Sequence, residues 1–160
     1  MTTITYQTFE NQLPEAILEA VLTLHFQVFS GQPRAELTQE ISEASSLLTI
    51  AAFENNVMIG YKMGYRRKED HFYSWLGCVL PSHRGRGIAS QLMALQHDWC
   101  LANGYHTIRT MTYNQWRNML ILNLKHGFNI VGLLADNAGE PKIILEKKLS
   151  QTAPKQQSDE

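Results

Sequence analysis

The chain has 160 residues, with 14 Lys or Arg against 15 Asp or Glu and a formal charge of −1. That balance excludes a broad nucleic-acid or polyanion surface, so any anion site must be local. A hydrophobic share of 44% with 18% charged residues fits one globular domain with its own core, assigned to 1–149, followed by a polar, disordered tail at 150–160.

Ile4–Phe9 alternates and is predicted as the first strand. Pro14 can open a helix, and Ile17, Leu18, Val21, Leu22, Val28 and Phe29 follow at helical spacing until Ser30-Gly31. A second helix is predicted from Pro33 to Ala44. Leu47–Phe53 and Val57–Tyr65 are apolar runs joined by Glu54-Asn55-Asn56, a hairpin whose asparagines tolerate left-handed backbone. Arg66–Asp70 reads as a charged turn and His71–Leu80 as a further strand. A helix over Gly87–Asn103 carries Ile88, Leu92, Leu95 and Trp99 on one face and stops at Asn103-Gly104. Thr107–Thr112 is a strand, Trp116–His126 a helix, Phe128–Leu134 a strand and Lys142–Leu149 the last strand. The strand–helix–strand unit from His71 to Thr112 makes those two strands parallel, whereas the earlier strands form an antiparallel meander. The expected fold is α/β (α+β), a mixed, mostly antiparallel sheet with helices on both faces.

The segment C-V-L-P-S-H-R-G-R-G-I-A-S, Cys78 to Ser90, carries the chemistry. A strand ends at Pro81, a glycine-rich bend follows, and a helix begins. Such a bend turns backbone N–H groups toward one point, where the helix N-terminus adds partial positive charge and Arg84 and Arg86 add full charge. A P-loop requires Gly-Lys-Ser/Thr, and the chain has no Gly-Lys pair. A dinucleotide fingerprint requires a third glycine where Ser90 stands, and an acid about 20 residues on, where Gly104–Ile108 has none.

Arg84-x-x-Gly87-x-Ala89 after a strand-ending Pro resembles the acetyl-CoA signature of the GCN5-related N-acetyltransferases, Gln/Arg-x-x-Gly-x-Gly/Ala. The element order also resembles that family, from Ile4 to Leu149. The resemblance implies the acyl-CoA N-acyltransferase fold and acetyl-CoA as co-substrate, with a primary amine of a small molecule or peptide as acceptor in direct transfer. It implies a cofactor site at Cys78, Val79, Arg84, Gly85, Arg86, Gly87, Ile88, Ala89 and Ser90, with backbone N–H groups near Val79 polarising the thioester carbonyl. The helix after Tyr113 is similar to a second family motif through Met119, Asn123 and Gly127-Phe128. It departs at Trp116, with Asn114 and Asn118 to either side as alternatives for the family's Asn; Asn118 is included among the cofactor candidates. Asn123 offers donors and an acceptor to the pantetheine arm, but its amide cannot reprotonate a thiolate as the Tyr of many relatives does.

For catalysis the candidates are Ser74, Glu36 and Asn123. Ser74 stands where some relatives place a Glu and could hold a relaying water. His25, His71 and Tyr113 are weaker candidates, with His25 read as a hydrogen-bonded core residue. No His-Glu-x-x-His or Cys-x-x-Cys spacing exists, so no metal is expected. Two cysteines make no disulfide framework, the N-terminus has no signal-peptide pattern and no apolar run spans a bilayer; a cytoplasmic protein without nucleic-acid or membrane partners is expected, a homodimer being open. The rival from another class is a non-catalytic acyl-CoA sensor.

Overall fold

The computed structural model describes residues 2–149; the tail expected at 150–160 lies outside the described residues. Seven strands form one sheet in the order β1-β2-β3-β4-β5-β7-β6. The strands are β1 (Thr5–Glu10), β2 (Leu48–Glu54), β3 (Val57–Lys68), β4 (His71–Val79), β5 (Thr107–Tyr113), β6 (Asn129–Ala135) and β7 (Pro141–Lys148). The helices are α1 (Glu15–Val28), α2 (Arg34–Glu43), α3 (Ile88–Ala102) and α4 (Arg117–Lys125). All pairings are antiparallel except β4 with β5, which is parallel as the crossover through α3 requires.

Alternation along the strands feeds two cores. Leu48, Ile50, Phe72, Val79, Ile108 and Leu145 meet Ile88, Leu92, Met93 and Cys100 of α3, with Met119 and Leu120 of α4 against them. Ala51, Tyr61, Met63 and Cys78 meet Val21, Leu22 and Leu24 of α1 and Leu37 and Ile41 of α2 on the other face. The helices thus cover both faces, as the sequence implied. No helix among the described residues is long and apolar enough to cross a membrane.

Most element ends fall within a residue of expectation, and three of the differences bear on the packing or the sheet. The charged run does not turn at Arg66: β3 continues to Lys68, because Arg66 pairs with Phe72 and Lys68 with His71, and only Glu69-Asp70 turns. Trp116 precedes α4 instead of starting it; it is 43% exposed and packs edge-on against Phe29 at 5.6 Å. The first strand begins at Thr5, not Ile4. The hairpin turn follows expectation, with Asn55 and Asn56 at φ 52° and 64°.

Strand β6 lies at the sheet edge, and Ile130, Val131, Leu133 and Leu134 are each more than half exposed. Next to β4, Met63 pairs with Leu76 but Gly64 with Ser74, so Trp75 is an extra residue on that strand. Such a bulge bends a strand and increases its twist. Gly64 is required there, since a Cβ would lie 2.3 Å from Phe72 Cε2 and 2.5 Å from the Tyr73 carbonyl oxygen.

Candidate active site

The site is built on a parting of β4 from β5. Their ladder holds only at His71–Thr107, Phe72–Ile108 and Tyr73–Arg109. At the apex the Thr110 hydroxyl donates to the Ser74 carbonyl at 2.9 Å, and beyond it the strands diverge. The Leu80 N–H bonds the Ile59 carbonyl on β3 at 2.8 Å. Backbone groups alternate sides along a strand, so the Val79 and Gly77 N–H groups point the other way, into the gap. The bulge at Trp75 bends β4 just where the gap opens.

The bend after β4 runs through one 3-10 turn, Pro81–His83, to Gly85 and Gly87 at φ 76° and 77°. Gly87 is the residue before α3, and no side chain caps that helix. The first backbone bond into α3 is from Gln91 N–H to the Gly87 carbonyl at 3.0 Å. The N–H groups of Ile88, Ala89 and Ser90 precede any intrahelical acceptor and face outward. A Cβ at Gly85 or Gly87 would meet no heavy atom within 4 Å, so the space in front of these amides is open. This geometry suits a pyrophosphate, which needs close backbone approach and positive partial charge.

The bend is anchored by a residue that sequence reading treated as a turn. Glu54 accepts hydrogen bonds from His83 Nε2 at 2.8 Å, Thr2 Oγ1 at 2.7 Å and Arg86 Nη2 at 3.1 Å. The His83 bond first, then those of Thr2 and Arg86, holds its carboxyl down at about 2. Arg86 is thereby tethered, and Arg84 is the exposed cation of the bend without an ion pair among the described residues. The signal available in the sequence was an acid at the end of an apolar strand, which is too common to point to this contact.

Between the gap and α3 lies a cavity. Tyr61 and Lys62 of β3, Gly77, Cys78 and Val79 of β4, Ala89, Leu92 and Met93 of α3, and Met119 of α4 line it. It thus brings together the expected residues Cys78, Val79 and Ala89, with Arg84 to Gly87 on the adjoining bend and Ile88 opening α3. Ser90 Oγ hydrogen-bonds His126 Nε2 at 2.8 Å, tying α3 to the end of α4. Asn118 is exposed. Asn123 is the buried polar residue of α4, but Met119, one turn earlier, lines the cavity. The Asn123 carbonyl accepts the His126 and Phe128 N–H groups.

Of the catalytic candidates, Ser74 is buried at the apex of the gap and Glu36 sits on the exposed side of α2. No hydrogen bond among the described residues joins them. His25 is a core residue, with Nδ1 2.7 Å from the Tyr61 hydroxyl and its pKa lowered by burial. Burial pushes the Cys78 thiol up to about 12, which keeps it protonated and a poor nucleophile. No group of three or more His, Cys, Asp or Glu among the described residues could hold a metal ion.

Sequence reading missed Lys62, a cation in the middle of the run V-M-I-G-Y-K-M-G-Y. It also missed a polar cluster behind the cavity. Lys147 Nζ donates to His97 Nδ1 at 3.0 Å, while His97 Nε2 and both side-chain amide atoms of Gln96 are buried without a partner among the described residues. Burial first, then the Lys147 charge, pushes His97 down to about 3.

Comparison with known proteins gives this geometry its context. Residues 15–128 match the model of the Acetyltransferase (GNAT) family. A search of curated protein sequences found no match. Among solved structures the chain is similar to the ribosomal-protein-S18-alanine N-acetyltransferase from Escherichia coli, with TM-score 0.75, 15% identity, and 93% of this chain and 98% of that one covered. It is similar to an aminoglycoside 6′-N-acetyltransferase complexed with coenzyme A, with TM-score 0.77, 15% identity, and coverage of 94% and 99%. It is also similar to Arabidopsis thaliana NAA60 in complex with a bisubstrate analogue, with TM-score 0.76, 15% identity, and coverage of 94% and 100%.

Proposed function

The chain belongs to the GNAT family of acetyltransferases, and from that premise we propose that it moves an acetyl group from acetyl-CoA directly to a primary amine of a small molecule or peptide in one ternary complex. The observation that carries this reading is the alignment of two features. An uncapped helix N-terminus led by left-handed glycines stands beside a gap between two parallel strands. The first suits a pyrophosphate and the second suits an extended amide-bearing arm, which can bond the free Gly77 and Val79 backbone groups as a missing strand would. Acetyl-CoA, when bound, supplies the activated acyl group.

The chain's own part is positioning and polarisation. Arg84 and the N–H groups from Gly85 to Ser90 hold the phosphates, and the Val79 N–H points at the place where the carbonyl oxygen gains charge. Cys78, Val79 and Ala89 line the cavity for the arm and Ile88 flanks it; from α4 it is Met119 that reaches the cavity, with Asn118 exposed beside it and Asn123 buried one turn on. Arg86 supports the bend through Glu54. Ser74, at the apex of the gap, holds a water that passes the amine's proton to solvent; Glu36 is the alternative base.

The names of the similar structures include a ribosomal-protein-S18-alanine and an aminoglycoside acetyltransferase, and both substrate classes offer an amine. The homodimer open from the sequence has a suitable surface in the apolar β6 edge. Two buried free cysteines suit a reducing, cytoplasmic compartment. Calorimetric titration with acetyl-CoA, ATP and NAD tests the co-substrate. Acetyl-CoA should bind and the nucleotides should not; tight ATP or NAD binding without CoA binding would overturn the reading.

A further inference from the structure

Acetyl transfer leaves a proton to be supplied to the departing sulfur, and Asn123 carries an amide that does not titrate in the working range. Lys62 is the one cationic side chain lining the cavity. Its cross-strand partner is Gly77 on β4. With no side chain there, the stem of Lys62 lies over β4, its Cγ 3.5 Å from where a Gly77 Cβ would stand. This brings the lysine from the centre of β3 to the cavity shared with Val79 and Met119.

Nothing near it neutralises its charge. Lys62 makes no ion pair or hydrogen bond among the described residues. On neighbouring elements, α3 presents His97, the residue after α4 is His126, β7 presents Lys147 and β4 contributes Cys78. Those groups are cationic or neutral. Lys62 is half-buried, and an unpaired ammonium withdrawn from water gains most from an anion that forms beside it. Burial pushes Lys62 down to about 8. A free thiol ionises near 8.5, and proton transfer is most efficient when donor and acceptor are matched near working pH.

We propose that Lys62 is the acid of the reaction: its ammonium, held unpaired in the cavity between β4, α3 and α4, protonates the sulfur of CoA as the acetyl group leaves. The inference rests on the acetyl-CoA reading above. The amine nitrogen forms the new C–N bond, and the C–S bond breaks with its electron pair going to sulfur. Lys62 Nζ gives that sulfur one proton, the amine releases one to solvent, and solvent returns one to Lys62. Overall, amine and acetyl-CoA become acetylated amine and CoA thiol.

The test reads the ionisation of the bound product, not only turnover. The thiol of CoA bound to the wild-type protein, followed by thiolate ultraviolet absorbance against pH, should ionise about one pH unit or more below the free thiol. Lys62→Met keeps the unbranched stem and should return that ionisation to the free value or above. Lys62→Arg keeps the charge but not a usable acid; it should keep the lowered thiol ionisation while turnover falls by about tenfold or more. If CoA binds and Lys62→Met leaves the thiol ionisation unchanged, the proposal is wrong. If Lys62→Met does not fold, unchanged turnover in Lys62→Arg rejects it equally. Failure of the wild-type protein to bind CoA at all would instead remove the acetyl-CoA reading, which calorimetry reports separately.

Discussion

Gly87→Val separates the backbone role of the bend from its ligand role. Gly87 sits at φ 77°, where a side chain is strained, yet a Cβ would meet no heavy atom within 4 Å. The cost in the free protein is therefore backbone strain alone, about 1–3 kcal/mol. At about 2–4 °C per kcal/mol for a domain of this size, Tm should fall by roughly 2–12 °C with the fold retained. Gly104, at the other end of the same helix, has φ 85° and equally open surroundings, so Gly104→Val provides a matched control. In the complex only Gly87→Val places methyl groups in front of the α3 amides. Displacing a phosphate from two charge-assisted bonds, at about 1.5–3 kcal/mol each, should weaken acetyl-CoA binding by roughly a hundredfold to ten-thousandfold. Calorimetry on both variants, with circular dichroism to verify folding, reads the difference. Wild-type affinity in folded Gly87→Val, or an equal loss in Gly104→Val, would refute the phosphate-loop argument.

Three further outcomes follow from the packing and the site. His97 has an ordinary value near 6.5 when unfolded and a lowered one of about 3 when folded, so the unfolded state binds its proton first as pH falls. Stability held above pH 6.5 should thus drop by about 2 kcal/mol between about pH 7 and pH 5, and urea unfolding of His97→Gln should show a shallower loss. Ser74→Ala and Glu36→Gln should each lower turnover by about tenfold or less, below the roughly hundredfold of a dedicated base; near-complete loss in either folded variant would name that residue the base. Gly64→Ala forces a Cβ against Phe72 and the Tyr73 carbonyl and should destabilise by about 1–3 kcal/mol or more; an unchanged denaturation midpoint would show that β4 can shift to make room.

What could be read from the sequence was local. Asn55-Asn56, Asn103-Gly104 and the Arg84–Gly87 bend each announce their backbone conformation by residue type, and each adopts it. Apolar periodicity gave the helices and most strands, and the crossover rule gave the parallel pair. The misread ends at Arg66 and Trp116 involve distant partners: ladder partners on β4 extend β3 through charged residues, and Trp116, just before α4, packs edge-on against Phe29. The site was legible where its groups are backbone amides and illegible where they are side chains from separate strands. Glu54 reaches His83 across 29 positions, and Lys147 reaches His97 across 50. Lys62 gains its place from Gly77 on the adjacent strand, which no window along the chain contains.

The central claim, acetyl transfer to an amine, is tested most directly by thiol release from acetyl-CoA against a panel of amines. The panel spans aminoglycosides, polyamines, amino acids and peptides with free N-termini, and mass spectrometry checks the acceptor. The account predicts amine-dependent thiol release, saturable in acetyl-CoA, with the acetyl group recovered on nitrogen of at least one acceptor. Tight CoA binding without thiol release or acetylated product across the panel would contradict it and leave a CoA-binding module without turnover.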